Sequence, residues 1–252
     1  MCRIVLMNKQ GERELDKKYG LDKYLKFLEE QLGGHGNGFA MLKNKNIIKL
    51  EKGVNLDVRD IADIIRKTDY DWCLFHTRLA TIGTRSDENC HPFKRGKFLL
   101  AMNGTENSVS FISRVKDITD TEAILDLADK YKLGLVALRN FSSIFMGFYN
   151  GKPFVVAGNT MRIRVLNNPK NNAIVFASSF PTVFNQNIFD ASECFTWCGG
   201  KLPNTLVKHK KRYFPVSFYD SVIYKNDLYG QCYFEALSKE NEYGGIIDDT
   251  VI

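Results

Sequence analysis

The sequence predicts one mixed α+β domain, and three observations carry that prediction. Amphipathic helical periods alternate with short β-rich runs over residues 1–130. From Ser142 onward the periodicity is mostly that of strands. Turn signals such as Asn150-Gly151 join neighbouring apolar runs, as antiparallel hairpins require.

The totals agree with a folded domain. The chain has 252 residues, 44% hydrophobic and 25% charged, enough for one large core. No run approaches the roughly 18–20 apolar residues of a membrane span, so no membrane contact is expected. The opening CRIVLM is strand-like, with no apolar signal-peptide core behind it, which favours a cytoplasmic protein. Six scattered cysteines fit a reduced state better than a disulfide framework. Cys194 and Cys198 form a C-x-x-x-C pair, but zinc needs two further ligands and the chain has only four histidines. Neither a metal nor another cofactor is expected. A net charge of +6 permits an acidic partner without requiring one.

In order along the chain, Cys2–Met7 reads as a buried strand, and Gln10–Gly20 as a charged loop. Leu21, Tyr24, Leu25, Leu28 and Leu32 recur at helical spacing until Gly33-Gly34 stops the helix. The glycine-dense Gly33–Gly38 then enters a strand at Phe39–Leu42, which implies a close backbone approach to something. Lys43–Asn46 reads as a hairpin turn into Ile47-Ile48. Asp57 starts a second amphipathic helix through Val58, Ile61, Ile64 and Ile65, and Trp72–Phe75 is a buried strand. Lys97–Met102 is another strand, ending at Asn103-Gly104. Thr119 and Glu122 fit a capping box at the start of a helix through Ile124, Leu125, Leu127 and Ala128. Strands follow at 144–149, 153–157, 161–166, 173–177, 195–198 and 205–208, with a short helix at 181–186. The basic run Lys208–Arg212, followed by Tyr213 and Phe214, fits a solvated edge or a partner contact better than nucleic acid. The polar end from Ser238 is expected to be loosely held.

Several residues suit chemistry. A cysteine directly after the initiator methionine becomes the N-terminus once Met1 is removed. It then carries a thiol nucleophile and an α-amine of pKa about 7.7–8.0 that can act as its base. Arg78 and Thr81 follow a strand end, where a guanidinium fork can take a carboxylate in bidentate fashion. Asn103-Gly104 reads either as a hairpin turn or as an oxyanion hole, with the Asn103 amide and the Gly104 N–H as donors. Asp120 is either a helix-start carboxylate or a site for an ammonium group.

Together these pieces resemble the class II glutamine amidotransferase domain, an N-terminal-nucleophile hydrolase. The ordered set is Met1-Cys2, the GGHGNGFAM loop, HTRLATIG, NCHPF, MNGTENS and DTEAI, with FAS at Phe176–Ser178. The resemblance covers residues 1–130 most closely, and the domain is expected to run to about 210, with 211–252 as a C-terminal extension. It implies a four-layer αββα sandwich of two packed sheets between helices. It implies an enzyme in which Cys2 attacks the glutamine side-chain amide, Asn103 and Gly104 hold the oxyanion, Arg78 and Thr81 hold the α-carboxylate, and Asp120 holds the α-ammonium. His91, in the family's His-Pro-Phe, shapes the glutamine pocket. The expected ligand is glutamine or another γ-glutamyl compound, and the expected partner a separate synthetase that accepts ammonia. Two rivals stand beside it: a γ-glutamyl amide hydrolase without ammonia channelling, and a catalytically silent scaffold subunit of the same fold. The loop departs from the family where an Arg-Gly pair is common: Gln31-Leu32-Gly33-Gly34 stands there, as in small stand-alone members.

Overall fold

A computed structural model describes residues 2–158, 163–191, 195–199 and 202. The expected extension at 211–252, the basic run Lys208–Arg212 and the strand expected at 205–208 lie outside the described residues, as do Met161 and Cys194.

Strand β1 (Arg3–Asn8) explains the architecture. Val5 and Met7 face one apolar cluster and Ile4 and Leu6 another, so both faces are buried. A strand buried on both faces needs layers above and below it. It lies in an antiparallel seven-stranded sheet, order β11-β9-β10-β1-β4-β2-β3, with β2 at Asn37–Lys43, β3 at Asn46–Gly53, β4 at Trp72–Thr77, β9 at Ile163–Asn168, β10 at Ala173–Ala177 and β11 at Ile188–Ala191. The second sheet, also antiparallel, has five strands in the order β12-β8-β7-β6-β5, with β5 at Phe93–Arg95, β6 at Phe98–Asn103, β7 at Ile144–Tyr149, β8 at Lys152–Ala157 and β12 at Phe195–Cys198.

Three helices, α1 (Lys9–Tyr19), α2 (Leu21–Leu32) and α3 (Val58–Lys67), cover the outer face of the first sheet over Val5, Met7, Phe39, Met41 and Phe75. Helices α4 (Ser110–Lys116) and α5 (Asp120–Lys130) cover the second over Leu100, Met102, Phe145 and Phe154. Between the sheets lie Ile4, Leu6, Leu74, Ala101, Met146, Phe176 and Trp197. The result is the four-layer αββα sandwich.

Strand β5, helix α4 and strand β11 have no counterpart among the expected elements, and residues 10–19, expected as part of a charged loop, form most of helix α1. Asn8 caps it by accepting the Gly11 N–H, and only Gly11, Glu12 and Leu15 are buried. Tertiary packing decides the helix: a Cβ on Gly11 would lie 2.4 Å from the Ile174 carbonyl oxygen, so this turn rests directly on β10. Buried Glu12 is paired with Lys9 at 2.7 Å. Elsewhere the turn chemistry stands as read. Asn44-Lys45 and Asn150-Gly151 both have positive φ at both positions, as tight hairpins require, and Thr119 and Glu122 form the reciprocal capping box.

Candidate active site

The site lies at one end of the space between the sheets. Side chains alternate along a strand, so Cys2 shares a face with Ile4 and Leu6, and Asn103 shares one with Leu99 and Ala101. Both faces look into the inter-sheet layer. The Cys2 backbone nitrogen donates to Asn103 Oδ1 at 3.0 Å. With its carbonyl oxygen so engaged, the Asn103 amide keeps its NH2 as a donor. The next residue, Gly104, has φ +147°, and a Cβ there would sit 2.0 Å from Ser143 Oγ. Only glycine fits that turn.

The pairing of β1 with β4 runs from Asn8–Trp72 to Arg3–Thr77, which brings residues 78 and 79 beside Cys2. Leu79 N–H donates to Cys2 Sγ at 3.3 Å, and the thiol donates to Leu79 O at 3.6 Å. Burial raises the Cys2 thiol pKa; the Leu79 bond and the Arg78 charge pull it back down.

Arg78 is buried. Its guanidinium donates to Thr84 O at 2.7 Å, Ile82 O at 2.8 Å and Gly83 O at 3.3 Å. Three of five N–H groups are thus spent on wrapping the loop around the cation, and two remain for a ligand. Thr81, at the exposed rim, exchanges a hydroxyl hydrogen bond with Thr105 at 3.1 Å. Asp120 is buried; its carboxylate accepts the Glu106 N–H at 2.9 Å and the Thr121 N–H at 3.0 Å. Burial raises its pKa, against those bonds and Arg78. No cation pairs with it within salt-bridge distance among the described residues.

His91 is buried; its Nδ1 accepts the Met102 N–H at 3.2 Å, and its ring stacks on His76 with centroids 4.2 Å apart. His76 Nε2 in turn meets Met102 O at 3.2 Å. Donor counting assigns the tautomers: His91 protonated on Nε2, towards Thr121 Oγ1, and His76 on Nε2, towards the carbonyl. Burial holds both rings neutral, with His76 lowered to about 3 and His91 well below the usual histidine range. Two neutral rings therefore clamp the peptide of Met102, directly before Asn103. His76 opens the HTRLATIG motif, but in the sequence it reads as the end of an apolar strand and carries no role of its own. Its signal was parity, since it alternates with Leu74.

The glycine-dense loop has a clear physical reason. A Cβ on Gly36 would lie 2.3 Å from Cys90 Sγ, and one on Gly38 would lie 2.0 Å from His91 O. The close approach is to the segment bearing His91. The loop is also laced to the segment beside Cys2: His35 N–H donates to Arg78 O at 2.9 Å, Arg78 N–H to Gly36 O at 2.8 Å, and Ala80 N–H to His35 Nδ1 at 3.0 Å. Among the described residues no cluster of His, Cys, Asp and Glu could hold a metal ion, and no helix is long and apolar enough to cross a membrane.

Comparison with known proteins bears on this geometry. No protein-family model matches the chain. A glutamine–fructose-6-phosphate aminotransferase (isomerizing) of Staphylococcus aureus is 34% identical over 148 residues, covering 52% of this chain and 22% of that protein. Among solved structures, an allosteric regulatory enzyme of purine biosynthesis aligns over 79% of this chain and 46% of its own, at 17% identity and a TM-score of 0.56. The glutamine phosphoribosylpyrophosphate amidotransferase of B. subtilis aligns over 79% and 47%, at 17% identity and a TM-score of 0.55. The structural likeness is one of fold, and the chain spans under a quarter of the length of the curated relatives it matches.

Proposed function

We propose that this chain, which resembles class II glutamine amidotransferase domains in its motifs and its two-sheet fold, hydrolyses the side-chain amide of glutamine and supplies the ammonia to a separate acceptor protein. The observation that carries the reading is the 3.0 Å bond from the Cys2 nitrogen to Asn103 Oδ1. In this reading the bond joins the residue that carries nucleophile and base to the residue that carries an oxyanion donor.

In this reading Met1 is removed, and the Cys2 α-amine takes the thiol proton as Sγ attacks the γ-carbonyl carbon. Asn103 Nδ2–H and Gly104 N–H stabilise the tetrahedral oxyanion. Collapse breaks the C–N bond, and the amine returns its proton to the leaving ammonia. Water then hydrolyses the γ-glutamyl thioester and releases glutamate. The two remaining N–H groups of Arg78, with Thr81, hold the α-carboxylate, and Asp120 takes the α-ammonium, the cation that its buried carboxylate lacks. His91 acts through the Met102 peptide. The transfer half rests on the relatives, whose names couple glutamine to fructose 6-phosphate or to phosphoribosylpyrophosphate. A cytoplasmic location, where glutamine and a synthetase meet, belongs to the same reading.

The test is glutamate release from glutamine, side by side with γ-glutamyl peptides, by wild type and Cys2→Ala. Turnover of glutamine by the wild type alone supports the proposal. Turnover of peptides and not of glutamine overturns it in favour of a γ-glutamyl hydrolase without ammonia transfer. No turnover of any of them, with Met1 absent, overturns it in favour of a silent subunit.

A further inference from the structure

One buried charge near the site has no part in the chemistry above. Glu106 follows the oxyanion turn by two residues and is 5% exposed. Its Oε1 accepts the Ser142 N–H at 2.8 Å, the Ser143 N–H at 2.7 Å and the Ser143 hydroxyl at 2.5 Å. The Ser142 hydroxyl lies at 3.3 Å from the same oxygen and 3.4 Å from Oε2. No cation forms an ion pair with this carboxylate among the described residues. A buried carboxylate without a cation costs several kcal/mol unless its hydrogen bonds are good ones. Burial raises its pKa, and the Ser143 and Ser142 bonds oppose that. Such a group is a poor choice for stability alone.

Its partners explain where it acts. Ser143, held through both its N–H and its hydroxyl by one Glu106 oxygen, fills the space over Gly104 that a Cβ would occupy. The Ser142–Ser143 corner is held from the other side by Gly158, whose N–H donates to Ser143 O at 2.9 Å. The backbone N–H of Glu106 meanwhile donates to Asp120 Oδ2 at 2.9 Å. The segment from 103 to 106 therefore has the oxyanion turn at one end and the ammonium-binding carboxylate at the other. The Glu106 side chain pins it to the start of β7.

We infer that Glu106 is a positioning residue for amide hydrolysis: through Ser143 it fixes the orientation of the Gly104 N–H, and through its own backbone it orients Asp120. The inference rests on the glutamine-amide reading above. An oxyanion donor works only when aimed before the reaction begins, and losing one costs about 10²–10³ in rate. Loosening one costs less. Glutamine at 106 keeps an oxygen that can accept both backbone N–H groups, so it preserves the geometry without the charge.

The experiment measures kcat and KM for glutamine with wild type, Glu106→Ala, Glu106→Gln and Ser143→Ala, each normalised to folded protein by circular dichroism. Glu106→Ala is expected to lower kcat roughly 10–100-fold with KM changed about threefold or less, the pattern of a contact felt in the transition state. Glu106→Gln is expected to restore kcat to within about threefold of wild type, and Ser143→Ala to fall between. If Glu106→Ala does not fold, Ser143→Ala carries the test. Unchanged kcat per folded molecule in Glu106→Ala or Ser143→Ala overturns the inference, and so does a Gln variant as slow as the Ala one. A wild type that turns over no glutamine overturns the proposed function instead, and the inference with it.

Discussion

The space between the two sheets is filled in two different ways along its length. Its middle is apolar: Ile4, Leu6, Leu74, Met146 and Phe176 meet across it, with the Trp72 and Trp197 rings tilted against each other at 5.2 Å between centroids. Its Cys2 end is polar, where His76, Asn103, Glu106 and Asp120 are each almost fully buried. Strands β4 and β6 reach both ends, and at the Cys2 end the loop after β6 and the start of α5 add Glu106 and Asp120, so strand geometry alone is not the difference. Side-chain hydrogen bonding is. Each of these four side chains bonds a main-chain group that it also holds still, the preorganisation that the proposed chemistry needs, while His76 Nδ1 has no partner. The middle supplies the free energy to keep those groups out of water.

That contrast can be broken from either side. Leu74→Ala, in the apolar middle, should cost about 2–5 kcal/mol of stability while leaving kcat per folded molecule unchanged. Urea unfolding beside glutamine turnover checks both halves, and a kcat loss without a stability loss would erase the distinction. Asn103→Ala, at the polar end, should do the opposite: kcat lower by about 10²–10³, with stability changed by only about 1 kcal/mol.

The neutral histidine pair sharpens the contrast through pH. An unfolded histidine titrates near 6.5, whereas His76 is held neutral to about 3 and His91 well below its usual range. Below pH 6.5 the unfolded state therefore binds more protons, and stability falls as pH falls. Well below that point each ring contributes about 1.4 kcal/mol per pH unit. Asp120 and Glu106, with raised values, bias the other way on acidification. The clean measurement is thus a difference: His76→Gln should flatten the stability slope below pH 6.5 by about 1.4 kcal/mol per unit. An identical slope would mean that His76 is already protonated in the fold. The smallest effect is at the exposed rim, where Thr81→Val should raise KM only about two- to fivefold and leave stability within about 0.5 kcal/mol.

Much of this was legible in the sequence where local rules govern. The capping box at Thr119, the two tight hairpins and the doubly buried strands each follow from short-range pattern. Cys2 could be singled out because it directly follows Met1, and Arg78, Asn103 and Asp120 because each sits where a strand ends or a helix begins. Helix α1 could not, because its charged surface hides a single leucine and its contact with β10 is made by a glycine. Glu106 and His76 were hidden for a related reason. Both fall inside quoted motifs, MNGTENS and HTRLATIG, but their partners lie 36–37 and 26 residues away, so their local pattern gives only a loop acid and a strand-end histidine.

The most direct measurement compares glutamine turnover with intact mass across preparations in which Met1 is removed to different extents, with Cys2→Ala as the blank. The account predicts specific activity proportional to the fraction of chains that begin at Cys2, because only they carry an amine opposite Asn103 Oδ1. Equal activity in chains that keep Met1 would contradict it, and would require a base other than the Cys2 nitrogen.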